Sequence, residues 1–465
     1  MCSLSACASG RGALISVVLL LFFGVDAYTI ISYTKTAGIC AVGGMLLISH
    51  AMGEVREKGW RIGLSVSGAV LCLVGFMLRP MEFLPCFALM AVLSLRWLYG
   101  LIFNDKGSVL FKLKALGRYA LPFVLVLVLC VGLYAFNEKA WSQEPWSFYH
   151  DFDARRVDCV DFGRPKYEDM AEGYESIGLS ENAVSLFQES CYFDTERFSG
   201  ENLDAISAMR DEISPPPSIG ECLGKFLDNC LLGFFRNLHV YGFLIILALW
   251  LAAGEHKLRD YLSLAGLAGI FSLMYLYLIY RGRYLVDRVD MPMFFAMAAS
   301  LAYMIKDEKM QREKLMAAVL LVLSIGISHY LSRDVYRSAV EYHNEESRAA
   351  VESLLDEEQL FLAKVDAVDD RIYSPFEPAA PGYWDKILYL GGWTMNHPAV
   401  MSTLSDYGVE NPYRDCVDNE RVYLIDNDIE LTLGFIREYY APAATAELVE
   451  PLSSETGMNI YRILG

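Results

Sequence analysis

Nine apolar runs, at about 13–33, 37–52, 62–79, 83–103, 119–136, 231–253, 261–280, 289–305 and 315–331, constrain this chain more than any other feature. A hydrocarbon layer ~30 Å thick takes about 20 residues of helix, and inside it every backbone N–H and C=O must be paired within the segment. The runs therefore predict a polytopic α-helical membrane protein of about nine spans. Spans one to five occupy 1–136 and spans six to nine occupy 231–332. Between them, 137–230 reads as a mostly helical extracytoplasmic loop domain, and 333–465 as an extracytoplasmic α/β domain. The first run is preceded by Arg11 and contains Val25-Asp26-Ala27, which also fits a signal-peptidase site. An uncleaved span is preferred, because apolar character resumes at once.

Orientation follows from Lys and Arg in the short loops. Arg56, Lys58 and Arg61 fall in one loop, Lys106, Lys112, Lys114 and Arg118 in another. Lys257 and Arg259, then Lys306, Lys309, Arg312 and Lys314, fall in two more. Parity puts all four loops on one side, the cytoplasm. The amino terminus is then cytoplasmic and the carboxyl-terminal domain outside, in a multi-pass protein of the cell membrane.

Charge divides the same way. The net charge of −18 comes from −12 over Glu138–Asp228 and −15 over Arg333–Arg462, leaving +9 for the membrane body. Acidic polar segments argue against nucleic acid as a partner. The cytoplasmic loops are short and hold no Walker or Gly-rich phosphate motif. No C-x-x-C, H-E-x-x-H or EF-hand spacing occurs, so no cofactor is identified and a divalent metal has no motif behind it. Cys159, Cys191, Cys222 and Cys230 share one acidic segment and leave a disulfide open. His150, His239 and His397 stand apart and read as structural.

Within the polar segments, Ser180 and Ser199 are expected to cap helices, and Cys222–Phe235 to form an interfacial helix. In the terminal domain a helix is expected at Val340–Phe361. Strands follow at Arg371–Ser374, Lys386–Leu390, Arg421–Ile425 and Met458–Leu464, alternating with helices at Ala399–Tyr407 and Ile429–Tyr440.

Ionisable residues at membrane depth are costly, so they are the first functional candidates. The stretch Tyr280–Pro292, Y-R-G-R-Y-L-V-D-R-V-D-M-P, carries Arg281, Arg283 and Arg288 on the side where cations are disfavoured. If the eighth helix begins before Arg281, then Arg281, Tyr284 and Arg288 form one stripe. Arg283, Asp287 and Asp290 form its neighbour. Such rows suit a phosphate, since the guanidinium fork gives bidentate contacts. They also suit interfacial anchoring to lipid headgroups. Asp26 lies in the first span, and Arg79 with Glu82 in the hairpin L-R-P-M-E. Arg96, deeper in the fourth span, reads as snorkelling. Trp141, Trp146, Phe148 and Tyr149 could stack on sugars, or form an interfacial belt or a small core.

The layout, with L-R-P-M-E and G-R-Y-L-V-D-R-V-D-M-P, resembles bacterial membrane glycosyltransferases of the C type. These take a sugar from a polyprenyl-phosphate carrier at the outer face. The resemblance implies a polyprenyl-phosphate lipid or lipid-linked sugar as partner, alongside membrane lipids, in envelope polysaccharide or glycoconjugate assembly. It implies Arg79, Arg281, Arg283 and Arg288 as phosphate-binding residues, and an acid as general base. The family places that acid in the first outer loop. Here the loop is Ser32–Gly38 and has none, so Asp26, Glu82 and Asp287 stand as catalytic candidates. The alternatives are a chain starting beyond the family's amino-terminal catalytic loop, or a non-catalytic scaffold or lipid-linked glycan binder. A transporter is disfavoured, as neither a repeat nor a paired broken helix is visible.

Overall fold

A computed structural model describes residues 10–29, 31–104, 106–229, 237–252, 256–282, 286–305, 320–330, 345–365, 368, 372–373, 378–453 and 458–465. The chain divides into two compact units. One comprises Met1–Asn137 with Pro217–Ala339, the other Glu138–Pro216 with Val340–Gly465.

The first unit is helical. Among the described residues, five helices are long and apolar enough to cross a membrane: Tyr33–Gly53, Lys58–Leu78, Pro80–Phe103, Val109–Trp141 and Leu258–Tyr280. Other predicted runs fall on shorter helices, Ile15–Tyr28, Leu238–Ala252 and Leu320–Tyr330, and on Asp287–Met304. The surface pattern is inverted relative to a protein in water. On Val109–Trp141, Val124, Leu125, Val128, Leu129 and Val131 are all exposed. A contiguous apolar face of this kind suits lipid tails as solvent.

With no hydrophobic drive between helices in lipid, close packing depends on small residues. Gly44 and Gly68 supply it where Tyr33–Gly53 crosses Lys58–Leu78: a Cβ on Gly44 would lie 2.5 Å from the Gly68 carbonyl oxygen. Gly242 meets Phe22 equally closely, its added Cβ falling 2.5 Å from Phe22 Cβ. The first helix is interrupted by a π-helical turn at Leu20–Gly24, between Gly10–Leu19 and Val25–Thr29. The wider turn changes the direction in which Asp26 leaves the helix.

Arg96 does not simply snorkel. Its Nη2 lies 2.6 Å from Asp260 Oδ1 and its Nε donates to the same oxygen at 3.0 Å. The pair joins the last turn of one helix to the first turn of another, so the guanidinium is neutralised by a neighbouring helix as well as by its place at the helix end. Helix Ile219–Asp228 starts on a reciprocal capping box between Ser218 and Glu221. The rest of the expected interfacial helix, from Cys230 to Phe235, lies outside the described residues.

The second unit joins the helical segment 138–216 to the α/β segment around one core. Phe187, Phe198, Phe435 and Tyr413 sit in it together with Leu360, Leu388 and Leu424. The strands are β1 (Leu360–Ala363), β2 (Ile387–Tyr389), β3 (Val422–Asp426), β4 (Thr445–Ser453) and β5 (Met458–Leu464), in sheet order β2-β1-β3-β5-β4. β1 pairs parallel with β2 and β3, while β5 runs antiparallel to β3 and β4. Strand β1 replaces the end of the expected Val340–Phe361 helix: four consecutive buried residues suit a central parallel strand, not a helix face. Of the expected strand Arg371–Ser374, Arg371 and Ser374 lie outside the described residues, and Ile372–Tyr373 form a bend. Ser180 and Ser199 cap their helices as expected, accepting from the amides of Ala183 and Asn202.

In such sheets a ligand crevice forms at the carboxyl ends of the strands where their order reverses. Here that edge is filled by the protein itself. The Phe193 amide donates to the Leu390 carbonyl at 2.9 Å. Lys364, just past β1, reaches Glu189 Oε2 at 2.6 Å and Asp426 Oδ1, at the end of β3, at 3.7 Å. Cys159, Cys191 and Cys222 are free thiols, and Cys230 lies outside the described residues.

Candidate functional site

The first unit gathers charge around one buried ammonium. Helix Tyr33–Gly53 starts at Ser32, whose hydroxyl accepts from the Thr34 amide, and Lys35 falls in its first turn. Lys35 Nζ lies 2.7 Å from Asp26 Oδ2 and 2.6 Å from Asp287 Oδ2. On the far side of Asp287, His239 Nδ1 stands 3.3 Å from Oδ1. Four helices thus contribute one group each. Their close packing explains the meeting: Gly38 is one turn beyond Lys35 and contacts Pro292, while Gly242 is one turn beyond His239 and contacts Phe22, one turn before Asp26.

Exposure separates the roles. The side chains of Lys35 and Asp26 are 1% and 8% exposed, whereas Asp287 keeps 42%. Asp287 is the carboxylate that an incoming molecule can reach, and Asp26 holds Lys35 from beneath. His239 is buried, and its Nε2 has no hydrogen-bond partner among the described residues.

Arg79 joins the cluster from the hairpin between Lys58–Leu78 and Pro80–Tyr99. Its Nη1 donates to Tyr33 Oη at 2.9 Å and Thr34 Oγ1 at 3.0 Å, and the guanidinium carbon stands 5.1 Å from the Tyr33 ring centre. Glu82 is buried one turn further on, with Cys86 Sγ 3.8 Å from its Oε1. Asp290 is buried 3.5 Å from Tyr275 Oη.

The expected arginine stripes do not form. Arg281 is the C-cap of Leu258–Tyr280, Gly282 follows at φ +70°, and the next helix begins only at Asp287. Arg281 and Arg288 are exposed on separate elements, and Arg283 lies outside the described residues. The glycine breaks the helix that the stripe requires. Asp287 pairs with Lys35 and His239.

Lys35 is absent from the sequence-based candidates, and His239, read there as structural, pairs with Asp287. Lys35 is a lone cation at the start of an apolar helix, in the loop Ser32–Gly38 that the charge rule assigns to the same side as the arginines. His239 gives no such sign, since a histidine at a helix start is unremarkable until its partner is known.

Asp26, His239 and Asp287 also offer ligand atoms within 4.8 Å of one another, two carboxylate oxygens and an imidazole nitrogen. That donor set suits a divalent cation of the Zn or Mn type. The Lys35 ammonium, in contact with both carboxylates, already supplies positive charge there and opposes a dication.

The fold and site define a mostly helical protein with five helices among the described residues able to cross a membrane, a small mixed sheet, and a Lys–Asp–Asp–His cluster at the helix ends that is buried except at Asp287. No protein-family model matches the chain, and neither a curated protein nor a solved structure matches it.

Proposed function

We propose that this chain is a multi-pass membrane protein of about nine spans that acts at the outer face on a polyprenyl-phosphate-linked sugar, as a glycosyltransferase-like enzyme of envelope assembly. The amino terminus is cytoplasmic and the sheet-bearing unit extracytoplasmic in this reading. The observation that supports it most is the half-exposed Asp287 carboxylate held between a buried ammonium and an imidazole, at the helix ends that also carry Arg79 and Arg288.

In the reaction, the bond between the anomeric carbon and the phosphate oxygen breaks, and the polyprenyl phosphate leaves with the electron pair. The acceptor hydroxyl forms the new bond and gives its proton to Asp287, the general base. The leaving phosphate gains one negative charge, which Arg79, Arg281, Arg283 and Arg288 would neutralise. Asp26 keeps Lys35 in place, and Glu82 lies behind Arg79 as a further candidate acid.

A second reading, a non-catalytic binder of lipid-linked glycan, is favoured by one observation. Lys35 contacts both carboxylates at 2.6–2.7 Å, so the base is tied up in an ion pair. Incubating purified protein with a radiolabelled polyprenyl-phosphate sugar separates the two. Transfer or release of sugar that D287N abolishes supports the enzyme. Retention of the carrier with no turnover, in wild type and D287N alike, leaves the binder. Absence of both overturns the proposal.

A further inference from the structure

At the other end of the same helices lies a cavity of about 610 Å³. Gly53 and Glu54 line it, at the close of helix Tyr33–Gly53. Lys35 is in that helix's first turn, roughly 27 Å away at 1.5 Å per residue. The cavity is therefore separate from the Lys35 cluster.

Four cations line it: Arg96, Lys106, Arg118 and Arg259, against one carboxylate, Glu54. Glu54 is already engaged, by Tyr303 Oη at 3.1 Å and His50 Nδ1 at 3.2 Å. Beneath the wall, Asp260 compensates Arg96 at 2.6 Å, and Arg259 Nε stands 3.7 Å from the same oxygen. Arg259 Nε makes no hydrogen bond among the described residues. Its guanidinium passes close to Gly100, where an added Cβ would lie 3.4 Å from Nη1. Lys106 and Arg118 have no ion-pair partner among the described residues. One wall is apolar and rigid: Trp97 and Tyr119 stack with ring centres 3.9 Å apart.

Scattered basic residues on one membrane side are ordinary anchors. Convergence from three helices and a loop onto one concave space is not, and guanidinium groups beside a flat aromatic wall suit a tetrahedral oxyanion on an apolar stem. We propose that this cavity binds a phosphate-bearing group, either the headgroup of an anionic phospholipid or a free phosphate.

The test uses the full chain in nanodiscs of phosphatidylcholine with a minor fraction of phosphatidylglycerol, washed and then analysed by native mass spectrometry. Wild type is expected to retain phosphatidylglycerol selectively, and the K106Q/R118Q protein to lose about tenfold in that selectivity, as for removed charge-assisted hydrogen bonds. K114Q, on the same basic stretch but outside the cavity, is expected to keep it. In pure phosphatidylcholine discs, thermal stabilisation by inorganic phosphate that R118Q abolishes would assign the free anion instead. Equal loss in K114Q and K106Q/R118Q, or neither selectivity nor stabilisation in wild type, would overturn the proposal. Unchanged melting of the variants in phosphatidylcholine alone shows that they fold.

Discussion

Gly38 and Pro292 touch so closely that a Cβ on Gly38 would lie 2.3 Å from Pro292 Cβ. Both atoms belong to rigid groups, so neither can rotate away. The contact locks helix Tyr33–Gly53 against Asp287–Met304, and it holds Lys35 within reach of Asp287. G38A is expected to separate the helices and lengthen that ion pair. Overpacking of this type costs roughly 1–3 kcal/mol. Thermal unfolding in detergent should show the loss, while S49A, remote from the contact, should sit near wild type.

Lys35 itself carries a sharper prediction. K35M leaves Asp26 and Asp287 facing each other with no ammonium between them, and removing one partner of a buried pair costs about 3–5 kcal/mol. The double variant K35M/D26N removes one of the two orphaned charges and should recover much of that loss. If K35M/D26N is no more stable than K35M, the pairing does not hold the helices, and the thermal midpoints would show it.

In the sheet-bearing unit, Gly391 follows the end of β2 and packs on the segment that caps the sheet. A Cβ there would fall 1.9 Å from the Ser190 carbonyl oxygen. Since the clash is with backbone, the segment must move. G391A should break the hydrogen bond from the Phe193 N–H to the Leu390 carbonyl and uncover the edge where Lys364 meets Glu189. Hydrogen exchange at residues 189–193 should rise well above wild type, with residues 33–53 unchanged.

Much of this architecture was legible in the chain. Strand β5 falls on the expected Met458–Leu464, and the helices at Pro398–Asp406 and Ile429–Tyr439 differ from expectation only at their ends. Strand β1 escaped because Leu360–Ala363 is buried throughout, and a short apolar run carries no period that separates strand from helix. Strand β4 escaped because Thr445–Ser453 contains Glu447, Glu450 and Pro451, residues proper to a bulged edge and poor markers of a strand. The Lys35 cluster draws on residues 26, 35, 239 and 287. Packing between distant helices, including the contacts of Gly38 with Pro292 and Gly242 with Phe22, brings them together, and no local pattern encodes those contacts.

The last prediction concerns acid. Burial alone would raise the Asp415 carboxyl, but Arg414 Nε at 2.7 Å and the amides of Asn411 and Glu410 outweigh it and hold the group below its usual range. A depressed carboxyl stabilises the fold fully above its unfolded value, about 3.9, and that contribution disappears as pH falls through the lower folded value. Asp426 has the opposite sign. Burial raises it despite the Thr432 hydroxyl and the Asp428 amide, so the native state holds its proton longer than the unfolded chain does. Its effect therefore weakens the fold as pH rises from about 3.9 through the folded value. D415N should make the acid limb of stability shallower and D426N should make it steeper. Hydrogen exchange of the amides at 410–414 and 424–428 across pH 3 to 6 reads both effects, and a shift in the same direction for the two variants would contradict this account.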